Sequence, residues 1–159
     1  MGELRDAALG ALALRGEAGP VLETIEMAHL RAENKIGSGS FADVYSGQWT
    51  RPCAIKKMRG MTKRRQLRDF YREAEILATL RHPGIIEFHG VCLCLPDLYL
   101  VTEHVDGPSL EEVLHVNRTR LSESEQLAIA VQISDAMQYM HLCSVVHRDL
   151  KPSNCLLDQ

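Results

Sequence analysis

The 159-residue sequence predicts an α+β fold in two lobes, because its strand-like and helix-like segments are segregated along the chain. Between residues 36 and 105, short apolar stretches alternate with glycine and proline, which is typical of strands joined by tight turns. Beyond Gly107 and Pro108 the sequence becomes mainly helical. We therefore expect a partly helical N-terminal extension over residues 1–29, a strand-rich lobe over 30–105 and a helical lobe over 106–159.

The strand-rich lobe is predicted to contain five strands and one helix. "KIGSGSFADVYSGQW" indicates two strands around a glycine-containing loop, and "CAIKKM", "GIIEFHGVCLC" and "DLYLVTEHV" indicate three more. Between the third and fourth of these strands, "RRQLRDFYREAEILATLRH" has apolar residues at three- and four-residue spacing, which predicts one buried helical face. Those apolar positions are Leu67, Phe70, Ala74, Leu77 and Leu80.

The helical lobe contains a recognisable helix start. Ser122 and Glu125 form an S-x-x-E pattern, which predicts a capping box before "QLAIAVQISDAMQYMH". The apolar positions expected along one side of this helix are Ala130, Ile133, Met137 and Met140.

The composition is that of an ordinary globular domain, with 45% hydrophobic and 25% charged residues and a formal net charge of −3. This balance gives no reason to expect a nucleic acid as partner. Glu3 and Asp6 argue against a secretory signal, and no apolar run approaches the roughly 20 residues that span a bilayer. Five cysteines without metal-ligand spacing favour reduced thiols, so we expect a soluble, cytoplasmic protein.

The stretch "IGSGSFADV" has the residue types of a phosphate-binding loop. Gly37 and Gly39 lack Cβ atoms, so the backbone can approach a bulky anion and turn its N–H groups toward phosphate oxygens. A simple hairpin turn would explain the same glycines. A dinucleotide-binding fold does not fit, because the loop leads into a strand and Ala42 stands in place of the third glycine.

Lys56 lies inside a predicted strand beside Ala54 and Ile55, where a buried ammonium group would need a partner. It either points outward into solvent with its neighbour Lys57, or faces a cleft and binds phosphate. In the second case a carboxylate of the following helix would hold it. Glu73 is a better candidate than Glu75, because it lies closer to the apolar face.

The stretch "VVHRDLKPSNCLLDQ" concentrates polar residues between two apolar runs. Asp149 could accept a proton from a hydroxyl group or orient that group. Lys151 could screen charge on a transferring phosphoryl group, and Asn154 could hold a divalent metal through its amide oxygen. His147 is expected to have a structural role because it follows Val145 and Val146.

Taken in order, these segments resemble the signature motifs of the protein kinases. Residues 37–44 resemble the glycine-rich loop, residues 54–56 the third-strand lysine motif and Glu73 the glutamate that pairs with that lysine. "LVTEHV" resembles the hinge between the lobes, and residues 147–154 resemble the catalytic loop without a gap. The residues of these motifs are most similar to those of Ser/Thr kinases of the tyrosine-kinase-like branch, which includes Raf-type and mixed-lineage kinases.

The resemblance implies a complete N-terminal lobe, with an antiparallel sheet and one helix, and the first part of a helical C-terminal lobe. It implies ATP and Mg²⁺ as cofactors and Ser/Thr hydroxyls of a protein substrate as acceptors. The catalytic residues it implies are Lys56, Glu73, Asp149 and Lys151, with Asn154 on the metal. The nucleotide-binding residues it implies are Ile36, Gly37, Ser38, Gly39, Ser40, Phe41, Val44, Ala54, Lys56, Thr102, Glu103, Val105 and Leu156.

No Asp-Phe-Gly motif follows Asn154 in this sequence, so one magnesium anchor of the family is missing. Two hypotheses stay open. The sequence is the N-terminal part of an ATP-dependent Ser/Thr kinase, or it is a truncated, inactive module that binds nucleotide or a partner protein covering its incomplete helical lobe. A third interpretation takes the basic run from Lys56 to Arg72 as a nucleic-acid or membrane patch, although such runs usually form a solvated face.

Overall fold

The computed structural model describes residues 22–39, 42–61 and 63–158. Ser40, Phe41 and most of the predicted N-terminal extension lie outside this range. The described residues form two compact units. The first unit contains the described residues up to Thr79 together with Glu87–His104, and the second contains Leu80–Ile86 and the chain from Val105 onward.

The first unit is a five-stranded antiparallel sheet with one helix, which confirms the predicted α+β class. A short 3-10 turn, Met27–His29, precedes the first strand. The strands are β1 (Arg31–Ser38), β2 (Ala42–Gln48), β3 (Pro52–Met58), β4 (Phe88–Cys94) and β5 (Asp97–Glu103), in the spatial order β1-β2-β3-β5-β4. The helix is α1 (Arg64–Thr79), between β3 and β4.

Apolar side chains cover both faces of this sheet, because successive strand residues point to opposite sides. On one face, Phe70 of α1 packs with Leu100 in a buried cluster. On the other, Ile55 and Val101 belong to a second cluster, to which Ile25 contributes from the segment before β1. The sheet is therefore fixed from both sides.

Helix α1 is shorter than its sequence pattern predicted. It ends at Thr79, whereas the apolar spacing ran through Leu80 toward His82. Pro83 disfavours helical backbone at the residue before it, and the Thr79 hydroxyl donates to the Ile76 carbonyl at 2.7 Å in the last turn.

The second unit contains helix α2 (Glu123–Leu142), a π-helical turn at Glu112–Val116 and a 3-10 turn at Pro152–Asn154. The predicted capping box is confirmed: Ser122 Oγ accepts the Glu125 N–H at 3.3 Å, and Glu125 Oε2 accepts the Ser122 N–H at 2.7 Å.

Ala130, one of the four apolar residues expected along one side of α2, is exposed. Ala136 and Met140 are the buried residues of the helix. One turn of α2 is held by the segment before β4, where the His82 ring stacks on Tyr139 with centroids 5.1 Å apart. The contact face is thus centred on the C-terminal half of the helix.

Across the described residues, no helix is both long enough and apolar enough to cross a membrane.

Candidate functional site

Strand register in the first unit brings several predicted nucleotide-binding residues to one face of the sheet. Lys56 on β3 is paired with Val44 on β2 and with Leu100 on β5. Ala54 is two residues away on the same strand and is paired with Thr102. Directly opposed residues of an antiparallel pair share a face. Val44, Ala54, Lys56 and Thr102 therefore lie together on the face that α1 covers.

Lys56 is held by a carboxylate of α1. Its Nζ lies 2.6 Å from Glu73 Oε1, so Glu73 is the partner among the two glutamates considered. Phe70 and Ala74 bury the adjoining side of the helix, which turns Glu73 toward the sheet. The two side chains are 38% and 39% exposed, and a pair so exposed contributes only about 0–1 kcal/mol to stability. Its effect is to fix the position of the ammonium group.

The glycines of the β1–β2 loop are not required by the protein's own packing. A Cβ atom on Gly37 would meet Val44 at 3.5 Å, and one on Gly39 would meet the Ala42 carbonyl oxygen at 3.7 Å, which are ordinary contacts. Neither glycine has a positive φ. Within the described residues, the missing side chains thus leave open backbone surface, as close approach of a ligand requires.

The hinge-like segment offers fewer backbone groups than the sequence suggested. The Glu103 N–H donates to the Glu87 carbonyl at 2.9 Å, so it is already engaged. The Glu103 carbonyl accepts the Thr102 hydroxyl at 3.2 Å. The Glu103 amide is therefore not available to a ligand. Val105, which was also assigned to this segment, belongs to the second unit.

The catalytic-loop segment of the second unit is held together by local polar contacts. The Asn154 amide nitrogen donates to the Asp149 carbonyl at 2.7 Å and to Asp149 Oδ2 at 3.0 Å. Lys151 Nζ lies 3.1 Å from the same Oδ2. Arg148, the residue before Asp149, has a φ of 65°, a strained conformation for a non-glycine residue that recurs at functional sites.

These contacts leave two oxygen atoms free for a ligand. Asp149 Oδ1 and Asn154 Oδ1 have no hydrogen-bond partner among the residues that the structure describes. The hydrogen bond from Lys151, and then that from Asn154, lowers the pKa of Asp149, so its carboxylate is ionised at neutral pH. An ionised carboxylate and an amide oxygen are hard oxygen donors of the kind Mg²⁺ prefers, and the carboxylate can also accept a hydroxyl hydrogen.

His147 and Leu156 support the backbone around this segment. His147 is half-buried, and its Nδ1 accepts the Asp149 N–H at 3.3 Å. Leu156 pairs with Ser109 in an antiparallel bridge, flanked by a bond of 2.9 Å from the Leu157 N–H to the Pro108 carbonyl. The Leu156 side chain, assigned to the nucleotide by resemblance, is 45% exposed.

Part of the basic run that suggested a nucleic-acid patch is neutralised inside the first unit. Besides Lys56, Lys57 pairs with Asp97 at 2.9 Å, and Arg65 pairs with Asp69 at 3.8 Å. Internal pairing of this kind reduces the charge available to a polyanion.

Sequence reasoning missed Asp43, the residue before Val44. Its side chain is only 6% exposed, and it pairs with Lys35 at 2.8 Å and with Arg59 at 3.4 Å. The hydrogen bond from Lys35, followed by that from Ser38, lowers the pKa of Asp43. The signal that could have found it is an acidic residue in the alternating strand β2 with basic residues on both neighbouring strands.

Comparison with known proteins gives the family. Residues 30–159 match the family described as protein tyrosine and serine/threonine kinase, and the chain belongs to this family. The chain is 36% identical, over 85% of its length, to a probable serine/threonine-protein kinase of Dictyostelium discoideum. It is 31% identical to the serine/threonine-protein kinase STY17 of Arabidopsis thaliana and to the human tyrosine-protein kinase ABL2, again over 85% of its length. It spans 15%, 24% and 12% of the length of these three relatives, respectively.

Proposed function

We propose that this chain is the ATP-binding and catalytic-loop portion of a protein kinase that transfers the γ-phosphoryl group of ATP to Ser/Thr hydroxyls of protein substrates. The observation that carries the proposal is the 2.6 Å contact between Lys56 and Glu73 on the sheet face shared with Val44 and Ala54. An ammonium group fixed beside an apolar surface and an open glycine backbone suits a nucleoside triphosphate.

Each of the candidate residues has a separate role in the proposed phosphoryl transfer. The Lys56 ammonium binds phosphate oxygens, and Glu73 keeps it in place. Asp149 Oδ1 accepts the hydrogen of the substrate hydroxyl and aligns that oxygen for attack, while Lys151 offsets negative charge on the phosphoryl group. Asn154 Oδ1 would bind Mg²⁺, which supplies positive charge over the phosphates.

A preference for Ser/Thr acceptors rests on the sequence "KPSN" after Asp149 and on the relatives, of which one from Dictyostelium discoideum and one from Arabidopsis thaliana are described as serine/threonine-protein kinases. A place in the tyrosine-kinase-like branch is part of the same proposal. We further propose a cytoplasmic location, where the five free thiols would stay reduced.

The test is transfer of labelled phosphate by the full-length protein to matched peptides carrying Ser, Thr or Tyr. Asp149→Asn should lower the rate by about 10²-fold or more, because a positioned base contributes roughly 10²–10⁴-fold. Asp69→Asn, a change to an exposed carboxylate of α1, serves as the matched control and should leave the rate unchanged. An Asp149→Asn variant as active as wild type, or transfer to the Tyr peptide alone, contradicts the proposal.

Residues 1–159 tested by themselves are expected to bind Mg–ATP without measurable transfer, because they contain no Asp-Phe-Gly motif to supply the second magnesium anchor. Robust transfer by this polypeptide, abolished by Lys56→Met, would show that the catalytic loop suffices without that anchor.

A further inference from the structure

Asp43 is a buried acidic residue on β2, next to the exposed edge strand β1. Its relative exposure is 4%, although it lies on the hairpin formed by β1 and β2. Three side chains from two other segments reach it. Lys35 Nζ lies 2.8 Å from Oδ1, Ser38 Oγ donates to the same oxygen at 2.8 Å, and Arg59 Nη1 lies 3.4 Å from Oδ2.

These contacts lie behind the predicted phosphate-binding surface. Asp43 is paired across the sheet with Lys57 and with Ser38, and it precedes Val44 by one residue. Neighbouring strand residues point to opposite faces. The Asp43 cluster therefore occupies the face opposite Val44 and Lys56, so its side chains do not compete with a nucleotide for space.

The β1–β2 hairpin needs such a contact because apolar packing does little to fix the pairing register of its outer strand, β1. β1 is an edge strand, and residues 31–36 are all exposed. Its register with β2 is irregular twice, between Ala32 and Lys35 and between Lys35 and Gly37. Strands without a buried face are prone to slip in register. Asp43 binds Lys35 and Ser38, one on each side of the second irregularity, and so fixes the register where apolar packing cannot.

The cluster lies directly beside the loop backbone. Ser38 is followed by Gly39, whose N–H donates to the Ala42 carbonyl at 2.8 Å, and Ala42 is followed by Asp43. The side-chain bond from Ser38 to Asp43 and this backbone bond together close the base of the loop. They hold the backbone of Gly37 and Gly39 on either side of Ser38.

We propose that Asp43 is a positioning residue for the phosphate-binding loop, which holds β1 in register so that the open backbone of Gly37 and Gly39 can lie against the phosphates of a bound nucleotide. The inference rests on the proposed function, since it assigns the loop to ATP. It predicts a specific signature: loss of Asp43 weakens binding of the triphosphate and spares binding of the nucleoside, because only the phosphates contact the loop backbone.

The experiment measures the affinities of the full chain for Mg–ATP and for adenosine by calorimetry, in wild type and in Asp43→Asn. We expect ATP to bind about three- to tenfold more weakly in Asp43→Asn, the cost of ordering a loosened loop, with adenosine affinity changed less than about twofold. Lys35→Gln removes one of the two closest contacts and should give a smaller change in the same direction. Asp69→Asn is the matched control and should change neither affinity.

Two results would overturn the inference: unchanged ATP affinity in both Asp43→Asn and Lys35→Gln, or an equal loss for ATP and adenosine, which indicates general loosening. If Asp43→Asn does not fold, Lys35→Gln alone decides between these outcomes. If wild type binds no ATP, the proposed function fails and amide hydrogen exchange decides the inference. Faster exchange at Gly37 and Gly39 in Asp43→Asn supports it, and unchanged exchange refutes it.

Discussion

The two units of this chain hold their candidate functional residues by different means. The largest fully buried side chains among the described residues all belong to the first unit, Phe70, Ile55 and Leu98 among them. In the second unit, large apolar side chains such as Leu127 and Leu142 are 67% and 81% exposed. Lys56 thus projects from a packed sheet, whereas Asp149 depends on hydrogen bonds within its own loop.

Because of this difference, we expect substitutions in the first unit to affect stability and substitutions at Asp149 or Asn154 to affect the proposed reaction. Changes at the core of the first unit should unfold it and lose ligand binding as a consequence. Changes to Asp149 or Asn154 should remove the proposed phosphoryl transfer without unfolding the second unit, because these side chains are exposed and support no apolar packing.

The largest expected effect is the loss of core packing in the first unit. Phe70 is 1% exposed and meets Tyr71 edge to face, with ring centroids 5.6 Å apart. Phe70→Ala should lower the free energy of unfolding by about 3–5 kcal/mol, the usual cost of deleting a buried aromatic ring. Urea unfolding followed by circular dichroism measures this change.

The matched change in the second unit is Leu127→Ala on α2. Because Leu127 is 67% exposed, its truncation should alter the free energy of unfolding by less than about 0.5 kcal/mol. Equal losses from Phe70→Ala and Leu127→Ala would remove the contrast between the two units.

A smaller change in the free energy of unfolding is expected when the pH is lowered, and it should originate from a histidine of the first unit. His89 on β4 is buried, and its ring is tilted 39° against that of Trp49, with centroids 6.1 Å apart. Its Nε2 has no hydrogen-bond partner among the described residues. Burial, together with nearby Arg51, lowers the pKa of His89 below its ordinary value of 6.5, although Glu87, Glu103 and Glu23 act in the opposite direction.

The consequence for stability follows from which state takes up the proton first. As the pH falls below 6.5, the unfolded chain protonates His89 before the folded chain does, so the free energy of unfolding decreases until the folded pKa is passed. Thermal melting between pH 8 and pH 5 should show this decrease in wild type and less of it in His89→Asn. His115→Asn, at an exposed position, is the control; if it flattens the profile as much as His89→Asn, the decrease does not come from His89.

Local patterns predicted most of the fold and part of the site. The five strands, the capping box at Ser122 and the choice of Glu73 over Glu75 all follow from spacing within one segment. Asp43 and His89 could not be predicted in this way, because their burial depends on side chains that come from other strands. The buried side of α2 could not be predicted for the same reason, since this helix contacts a segment 58 residues earlier in sequence, where the Arg81 N–H donates to the Tyr139 hydroxyl.

The most direct test of the account compares two neighbouring lysines on β3. Lys56 lies on the α1 face of the sheet and contacts Glu73, whereas Lys57 lies on the opposite face and contacts Asp97. Calorimetric titration with Mg–ATP should show at least about tenfold weaker binding for Lys56→Met, since a hydrogen bond to a charged group contributes roughly 1.5–3 kcal/mol. Lys57→Met should bind within about twofold of wild type, because its side chain points away from the proposed nucleotide site. Equal affinities for the two variants would contradict the claim that Lys56 and Glu73 form the phosphate-binding site.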